Sequence, residues 1–341
     1  MPRLRTLPDL VRDSKIETTN LGDKRTRHVI FRAGRSARER RIRIEETWVR
    51  ESCLGRGAYG TVYKEYKETN GAQKGTAQGL EGESRPKVRA VKKINKSVIT
   101  GEEIDYTMEL EAVAKFSNPK YSHCFVRSDG WYEIGDAIFI SMEFIPLGDL
   151  QRQVKTPLPE SEVRDIASQL LEALEHMHEN GFVHRDLKPG NIMVVQRSPD
   201  WWIKIADFGI SKRRQQDVTT LRTLQRGTFG YAAPEALGIR GGSSYTSAVD
   251  IWSLGAVLFW LHTQTAVFPN FVDFCSYCSG TREFPIDGLA AQAISQDGQQ
   301  FVRSLMALEA KDRPSADAAA KDTWMIKPIV EGASPAAAPN T

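Results

Sequence analysis

The apolar residues of this 341-residue chain change their period partway along it, and that change limits the folds open to it. From Thr47 they alternate, as a strand requires, and the alternation returns in Thr61-Val62-Tyr63, in Arg89 to Ile94, and in Trp131 to Ile134 and Ile138 to Phe144 around the turn Gly135-Asp136. One stretch of this first part is helical instead: Ile104 to Phe116 spaces Met108, Leu110, Val113, Ala114 and Phe116 along its apolar positions. From Pro159 onward helical spacing dominates, in Glu160 to Asn180, Ala248 to His262 and Gln299 to Leu308. A strand-rich part followed by a helical part implies two lobes, and the length exceeds the usual single core. The expected fold is therefore α+β and bilobal: a small β-rich N-lobe with one main helix, and a larger α-helical C-lobe.

Composition sets the flanks. Residues 1–46 hold 13 Lys or Arg against 7 Asp or Glu, a net +6 where the whole chain carries +3. The densest part, Lys24 to Arg43, has nine basic residues and one acid, Glu39. Without sustained periodicity these residues read as a basic, partly disordered extension, open to an acidic partner, in which Asp9 to Arg12 could begin a short helix. Phe31 is the only aromatic there, so base stacking on nucleic acid is not expected. Glycines 71, 75, 79 and 82 mark residues 68–87 as a flexible insertion in a hairpin, and residues 325–341 as a disordered tail follow from Ser-Pro-Ala-Ala-Ala-Pro. The folded domain is placed at 47–324, with its N-lobe at 47–144 and its C-lobe at 145–324.

No apolar run approaches the roughly 18 residues of a spanning helix, and the first residues lack a secretory core. Four scattered cysteines do not form a disulfide framework. Cys275-Ser276-Tyr277-Cys278 lacks the second ligand pair that zinc would need. These features fit an intracellular protein, in cytoplasm or nucleus.

Chemistry concentrates in His184-Arg185-Asp186-Leu187-Lys188-Pro189-Gly190-Asn191, which sets a carboxylate, a cation and an amide on one loop. Asp186 can orient a hydroxyl and take its proton, Lys188 can meet charge on a transferred phosphate, and the amide oxygen of Asn191 can bind a metal. Leu54-Gly55-Arg56-Gly57-Ala58-Tyr59-Gly60-Thr61-Val62 contains G-x-G-x-x-G-x-V, whose glycines let backbone amides approach phosphate oxygens. Strand flanks and the following Ala90-Val91-Lys92 favour a nucleoside triphosphate over a dinucleotide. Residues two apart on a strand share a face, so Ala90 can pack on adenine while Lys92 reaches the phosphates. Lys92 needs a counter-charge, for which Glu109 and Glu111 are the candidates. Asp207-Phe208-Gly209 follows the strand Ile203-Lys204-Ile205, where Asp207 can hold Mg²⁺ between the terminal phosphates.

Together these motifs resemble a eukaryotic protein kinase, from about Thr47 to Trp324. The resemblance implies ATP and Mg²⁺ as cofactors and protein hydroxyls as substrates. It makes Asp186 the catalytic base, puts Lys188 on the γ-phosphate, takes Asn191 and Asp207 as metal ligands, and selects Glu109 as the partner of Lys92. Nucleotide contacts are implied for Leu54, Gly55, Gly57, Ala58, Gly60, Val62, Ala90 and Lys92. The hinge contributes Glu143 and Ile145 behind Met142, with Asp149 near the ribose and Met193 beneath the adenine. Ala233-Pro234-Glu235 matches the end of an activation segment, with Arg313 placed to pair with Glu235. Asp250-Ile251-Trp252-Ser253-Leu254-Gly255 matches the helix that supports the catalytic loop.

Lys188 and Gly227-Thr228-Phe229-Gly230-Tyr231 resemble the serine/threonine type, with calcium/calmodulin-dependent and checkpoint kinases nearest in pattern. Gly190 stands where Arg-directed members often carry an acid. Arg185 beside Asp186 points to control by an upstream kinase, with Thr223, then Thr220 and Thr219, as phosphorylation candidates. A partner-binding pseudokinase is disfavoured because Lys92, Asp186, Asn191 and Asp207 are all present. A small-molecule kinase is disfavoured by the Ala-Pro-Glu and Arg313 pair.

Overall fold

The computed structural model describes residues 7–22, 24–33, 41–57, 60–68, 86–96, 106–208, 228–239 and 246–326. It comprises two compact units, one of residues up to Pro146 with the return segment that begins at Ala206, the other of Leu147–Ile205 and the rest.

The first unit is built on a seven-stranded antiparallel sheet: β1 (Glu17–Gly22), β2 (Arg25–Ala33), β3 (Arg41–Arg56), β4 (Gly60–Lys67), β5 (Val88–Asn95), β6 (Ser128–Ile134) and β7 (Ala137–Glu143). The order across it is β1-β2-β3-β4-β5-β7-β6. Helix α1 (Asp9–Asp13) precedes β1, and α2 (Thr107–Phe116) buries Glu109, Leu110, Ala112, Val113 and Phe116. The reading of residues 1–46 as a partly disordered extension is corrected here. Described residues 9–33 form a helix and two strands, and β2 pairs with β3 over a continuous register from Arg25↔Val49 to Ala33↔Arg41.

The same segment joins the two edges of the sheet. Just before β1, Ile16 N donates to Trp131 O (2.7 Å) and Trp131 N donates to Ser14 O (3.1 Å). Because residues 14–16 pair with β6 and residues 17–22 with β2, the sheet closes on itself. One side of its interior is apolar, with Val91, Tyr132 and Phe139 packed against Ile16 and Ile134. The other side is polar and buried: Thr26, His28, Glu46, Glu65 and Arg89. Arg89 Nε and Nη2 donate to Glu65 Oε2 at 3.1 and 2.7 Å, and its guanidinium lies 4.1 Å from the Trp48 ring centroid. Polar inward positions conceal a strand from a search for alternating apolar residues. That is why β1 and β2 escape the periodicity argument.

The second unit is helical: α3 (Leu150–Gln153), α4 (Glu160–Glu179), α5 (Ala248–Thr263), α6 (Phe271–Cys278), α7 (Asp287–Ala290), α8 (Gln296–Leu305), α9 (Ala316–Ala320) and α10 (Thr323–Ile326), with the hairpin β8 (Ile192–Gln196) and β9 (Trp202–Ile205). Helix α5 is buried on nearly every side, from Val249 to His262, and is the centre of the unit. Helix α8 starts three residues before its expected position because Ser295 caps it, accepting from Gly298 N at 3.1 Å. Met325 and Ile326 belong to α10 where a tail was expected, while residues 69–85 of the insertion and 327–341 lie outside the described residues. No described helix is long and apolar enough to cross a membrane.

Candidate active site

In the first unit, β3 and β4 form the glycine-rich hairpin, paired at Gly55↔Val62 and Arg56↔Thr61 and closed by Gly57 N donating to Gly60 O at 2.9 Å. The three glycines differ. A Cβ on Gly60 would lie 1.9 Å from Lys93 O, so this position must be glycine for β4 to pack on β5. Around Gly55 there is open space, and Gly57 meets only Gly60 O at 3.9 Å. Their bare backbone is accessible to phosphate oxygens, which the nucleotide needs. Ala58 lies outside the described residues, and Leu54 is half-buried on β3.

On β5, alternation places Arg89 and Val91 toward the closed interior and Ala90 and Lys92 on the opposite face. Lys92 pairs across the strand with Val62, and Ala90 with Met142. Lys92 Nζ donates to Glu109 Oε1 and to Asp207 Oδ1, both at 2.5 Å. Burial works against the ammonium, but the carboxylates of Asp207 and Glu109 outweigh it and raise the Lys92 pKa above its ordinary value. Burial likewise pushes Glu109 above the usual carboxylate range, against the attraction of Lys92. Glu111, the alternative partner, is half-buried on α2 and makes no described contact with Lys92. Phe208 anchors the other carboxylate: it stacks on Phe116 of α2 (5.5 Å between centroids) and packs against Phe125 (5.6 Å), leaving Asp207 exposed beside it. Asp207 adopts a left-handed backbone, φ +58°, a conformation uncommon outside glycine and typical of positions held for function.

At the end of the sheet, Glu143 N donates to Arg127 O at 2.9 Å and Glu143 Oε1 accepts from Arg127 N at 2.8 Å, while Ile145 is buried. Near the start of the second unit, Asp149 caps α3 by accepting from Arg152 N (2.9 Å) and pairs with Arg152 Nε at 3.0 Å. Asp149 also bridges Met193 of β8.

The catalytic-loop residues share the second unit. Asp186 Oδ2 accepts from Lys188 Nζ at 2.8 Å and from Asn191 Nδ2 at 3.2 Å. Asn191 Nδ2 also donates to Asp186 O at 2.7 Å. With its nitrogen turned inward, Asn191 offers its amide oxygen to a cation. Asn191 in the second unit and Asp207 in the first each carry an oxygen donor, the donor type that a hard ion such as Mg²⁺ takes. The loop itself is held from α5. Fully buried Asp250 accepts from His184 N and Arg185 N, each at 2.8 Å, and lies 2.9 Å from His178 Nε2. Arg185 stands at φ +67°, and the Asp250 carboxylate fixes the backbone on both sides of its amide. His178, at the end of α4, is the supporting residue that the sequence reading missed. Its only signal was its place on a helix that ends just before the loop.

Glu235 and Arg313 meet as a bidentate pair at 2.6 and 2.9 Å, and the guanidinium also donates to Ala248 O, Ala307 O and Leu308 O. The candidate threonines 219, 220 and 223 lie outside the described residues.

The protein kinase domain model matches residues 48–325. Calcium/calmodulin-dependent protein kinase type 1 of Macrobrachium nipponense is 29% identical over 290 residues, covering 83% of this chain and 76% of that protein. Serine/threonine-protein kinase RAD53 of Saccharomyces cerevisiae is 31% identical over 290 residues, covering 81% of this chain but 32% of the relative's length. Among solved structures, Rad53 1-466 in complex with AMP-PNP superposes with a TM-score of 0.62 at 29% identity, over 81% of this chain and 64% of that one.

Proposed function

The chain belongs to the protein kinase family and is a serine/threonine kinase that uses ATP with Mg²⁺, and from that premise we propose how its residues divide the reaction. Asp186 is the base: its carboxylate accepts the proton of a serine or threonine hydroxyl as that oxygen attacks the γ-phosphorus. The bond from the γ-phosphorus to the bridging oxygen breaks, and ADP leaves with the electron pair. Lys188, already on the Asp186 carboxylate, meets the charge of the transferred group. Lys92, held by Glu109, orients the non-transferred phosphates. Asp207 and Asn191 each offer an oxygen to Mg²⁺, which when bound neutralises phosphate charge. The backbone amides at Gly55 and Gly57 approach the phosphates; nucleotide contacts are assigned to Leu54, Ala58, Val62, Ala90 and Met193, with Glu143 and Ile145 assigned to the base and Asp149 to the ribose.

The observation that carries this reading is the Asp186 carboxylate, flanked by Lys188 and Asn191 on a loop fixed by Asp250. Transfer of labelled γ-phosphate to a generic protein substrate tests it. Asp186→Asn is expected to lower kcat by about 10²–10⁴-fold with little change in KM for ATP. Equal transfer by both proteins would defeat the assignment.

Control belongs to the same proposal. Phosphorylation of Thr223, or of Thr220 or Thr219, by an upstream kinase would add nearly two negative charges for Arg185 to meet. Equal activity of phosphatase-treated wild type, untreated wild type and Thr223→Ala would exclude the preferred site. Acidic proteins are the partner class that the basic hairpin of β2 and β3 suits. An intracellular setting agrees with Cys53, Cys124, Cys275 and Cys278 all being free thiols.

A further inference from the structure

The kinase match begins at Trp48, yet the unit that carries Lys92 and Glu109 begins before residue 10. Three sets of contacts bind that preceding segment to the elements that hold the pair. First, α1 packs on α2, and Val11 is fully buried. Second, Trp131 Nε1 donates to Val11 O at 2.7 Å, next to the backbone pairing of residues 14–16 with β6. That approach depends on Gly130: at φ +124°, a Cβ there would lie 2.5 Å from Ser14 O and 2.9 Å from Ile16 Cγ1. Third, inside the closed sheet Thr18 and His28 reach Arg89, three residues before Lys92 on the same strand. Thr18 Oγ1 lies 2.7 Å from His28 Nδ1, and His28 Nε2 lies 2.6 Å from Arg89 Nη2.

Helix α2 needs such support. It has only ten residues. A helix that short does not hold itself in water, so its position is set by what packs on it. Its described neighbours include Phe208, on Phe116, together with β6 and α1.

We propose that residues 8–33 are a positioning element of the catalytic unit: they clamp α2 through Val11 and β5 through Arg89, and so hold Glu109 against Lys92. Val11 is the positioning residue at the centre of the clamp. The functional consequence rests on the roles given above to Lys92 and Glu109; the clamp itself does not.

The test uses the full chain carrying Val11→Asp, with Val11→Ile as the conservative variant and Leu10→Ala, on the exposed side of α1, as control. Amide hydrogen exchange in Thr107–Phe116 is expected to quicken about tenfold or more in Val11→Asp and to return to the wild-type rate in Val11→Ile. Because a displaced catalytic group costs up to about 10²-fold, kcat should fall at least tenfold, with a smaller change in KM for the protein substrate. Leu10→Ala should match wild type in both measurements. If Val11→Asp does not fold, Val11→Ala is read in the same way. Rapid exchange in α1 with unchanged exchange in Thr107–Phe116 would overturn the proposal. Faster exchange in α2 with unchanged kcat would leave the clamp standing and overturn the role given to Glu109.

Discussion

The loop from His184 to Asn191 and the segment from Pro8 to Ala33 are both short, both polar and both held by a buried charge that lies far away in sequence. The loop is fixed by Asp250, whose carboxylate binds two consecutive backbone amides. The segment is fixed by Arg89, which joins His28 to Glu65 inside the closed sheet. They differ in what their side chains are for. In the proposed mechanism Asp186, Lys188 and Asn191 perform the chemistry themselves, so their identities and order point to a function. Thr18, Thr26 and His28 hydrogen-bond among themselves and with Arg89, and such residues announce nothing until their partners are known.

The largest expected effects separate the two regions most sharply. Asp186→Asn should remove about 10²–10⁴-fold of kcat while leaving the thermal midpoint in place, since the variant keeps the loop's shape and its hold on Asp250. Arg89→Met should do the reverse in kind. It strips buried Glu65 Oε2 of two charged hydrogen bonds, leaving Arg50 at 3.8 Å among the described residues, and should destabilise the first unit by about 3–5 kcal/mol. Denaturant unfolding followed through a tryptophan of that unit measures it. A loss below about 1 kcal/mol would mean that the polar interior is incidental, since unpaired buried charges cost more than that.

This contrast also explains what could be read in advance. The two-part organisation, the helix carrying Glu109 and the glycine-rich hairpin were legible because apolar periodicity and motif identity agree there. Glu109 over Glu111 was not decided by periodicity; the resemblance selected it, and the structure pairs it with Lys92. The strands β1 and β2 were illegible for a stated reason. Their inward residues are Thr18, Thr26 and His28, their outward ones include Arg25, Arg27 and Phe31, and a polarity pattern cannot tell inside from outside when both are polar. The density of cations between Lys24 and Arg43 then drew the reading toward a solvated arm. The support of the loop by His178 was hidden because contact between α4 and α5 is a tertiary fact.

A smaller effect tests the interior through pH. His28 accepts from Arg89 at Nε2, so its proton sits on Nδ1 and faces Thr18, whose hydroxyl donates to Ile16 O at 3.1 Å. Adding a second proton would aim an N–H at the guanidinium. Burial first, and Arg89 second, lower the His28 pKa from 6.5 to about 3. The unfolded chain thus binds a proton below pH 6.5 that the folded chain refuses, so stability is complete above 6.5 and declines as pH falls. At pH 5 the loss should be about 2 kcal/mol from this residue. Buried His262 of the second unit, lowered to about 4, has the same sign, so the two must be separated by mutation. His28→Gln should flatten the acid slope of the first unit alone, and an unchanged slope would show that His28 does not set it.

The smallest expected effect lies at the seam where the sheet closes. Lys15 pairs with Trp131 across the junction, with its ammonium 4.9 Å from the indole centroid and 3.6 Å from Glu133 Oε2. The lysine side chain is 44% exposed and the glutamate 31%, so water weakens both attractions. Lys15→Met keeps the apolar stem over the ring and removes the charge, which separates electrostatics from closure. A partly exposed cation–π contact and a long ion pair together contribute about 0.5–1 kcal/mol, less in high salt. The thermal midpoint of Lys15→Met should therefore drop by about 2–4 °C at low ionic strength and approach wild type in molar salt. A drop several times larger, insensitive to salt, would mean that the closure depends on this side chain. The expected small drop would place the strength of the seam in the backbone bonds of residues 14–16, in Gly130, and in the buried Val11 behind them.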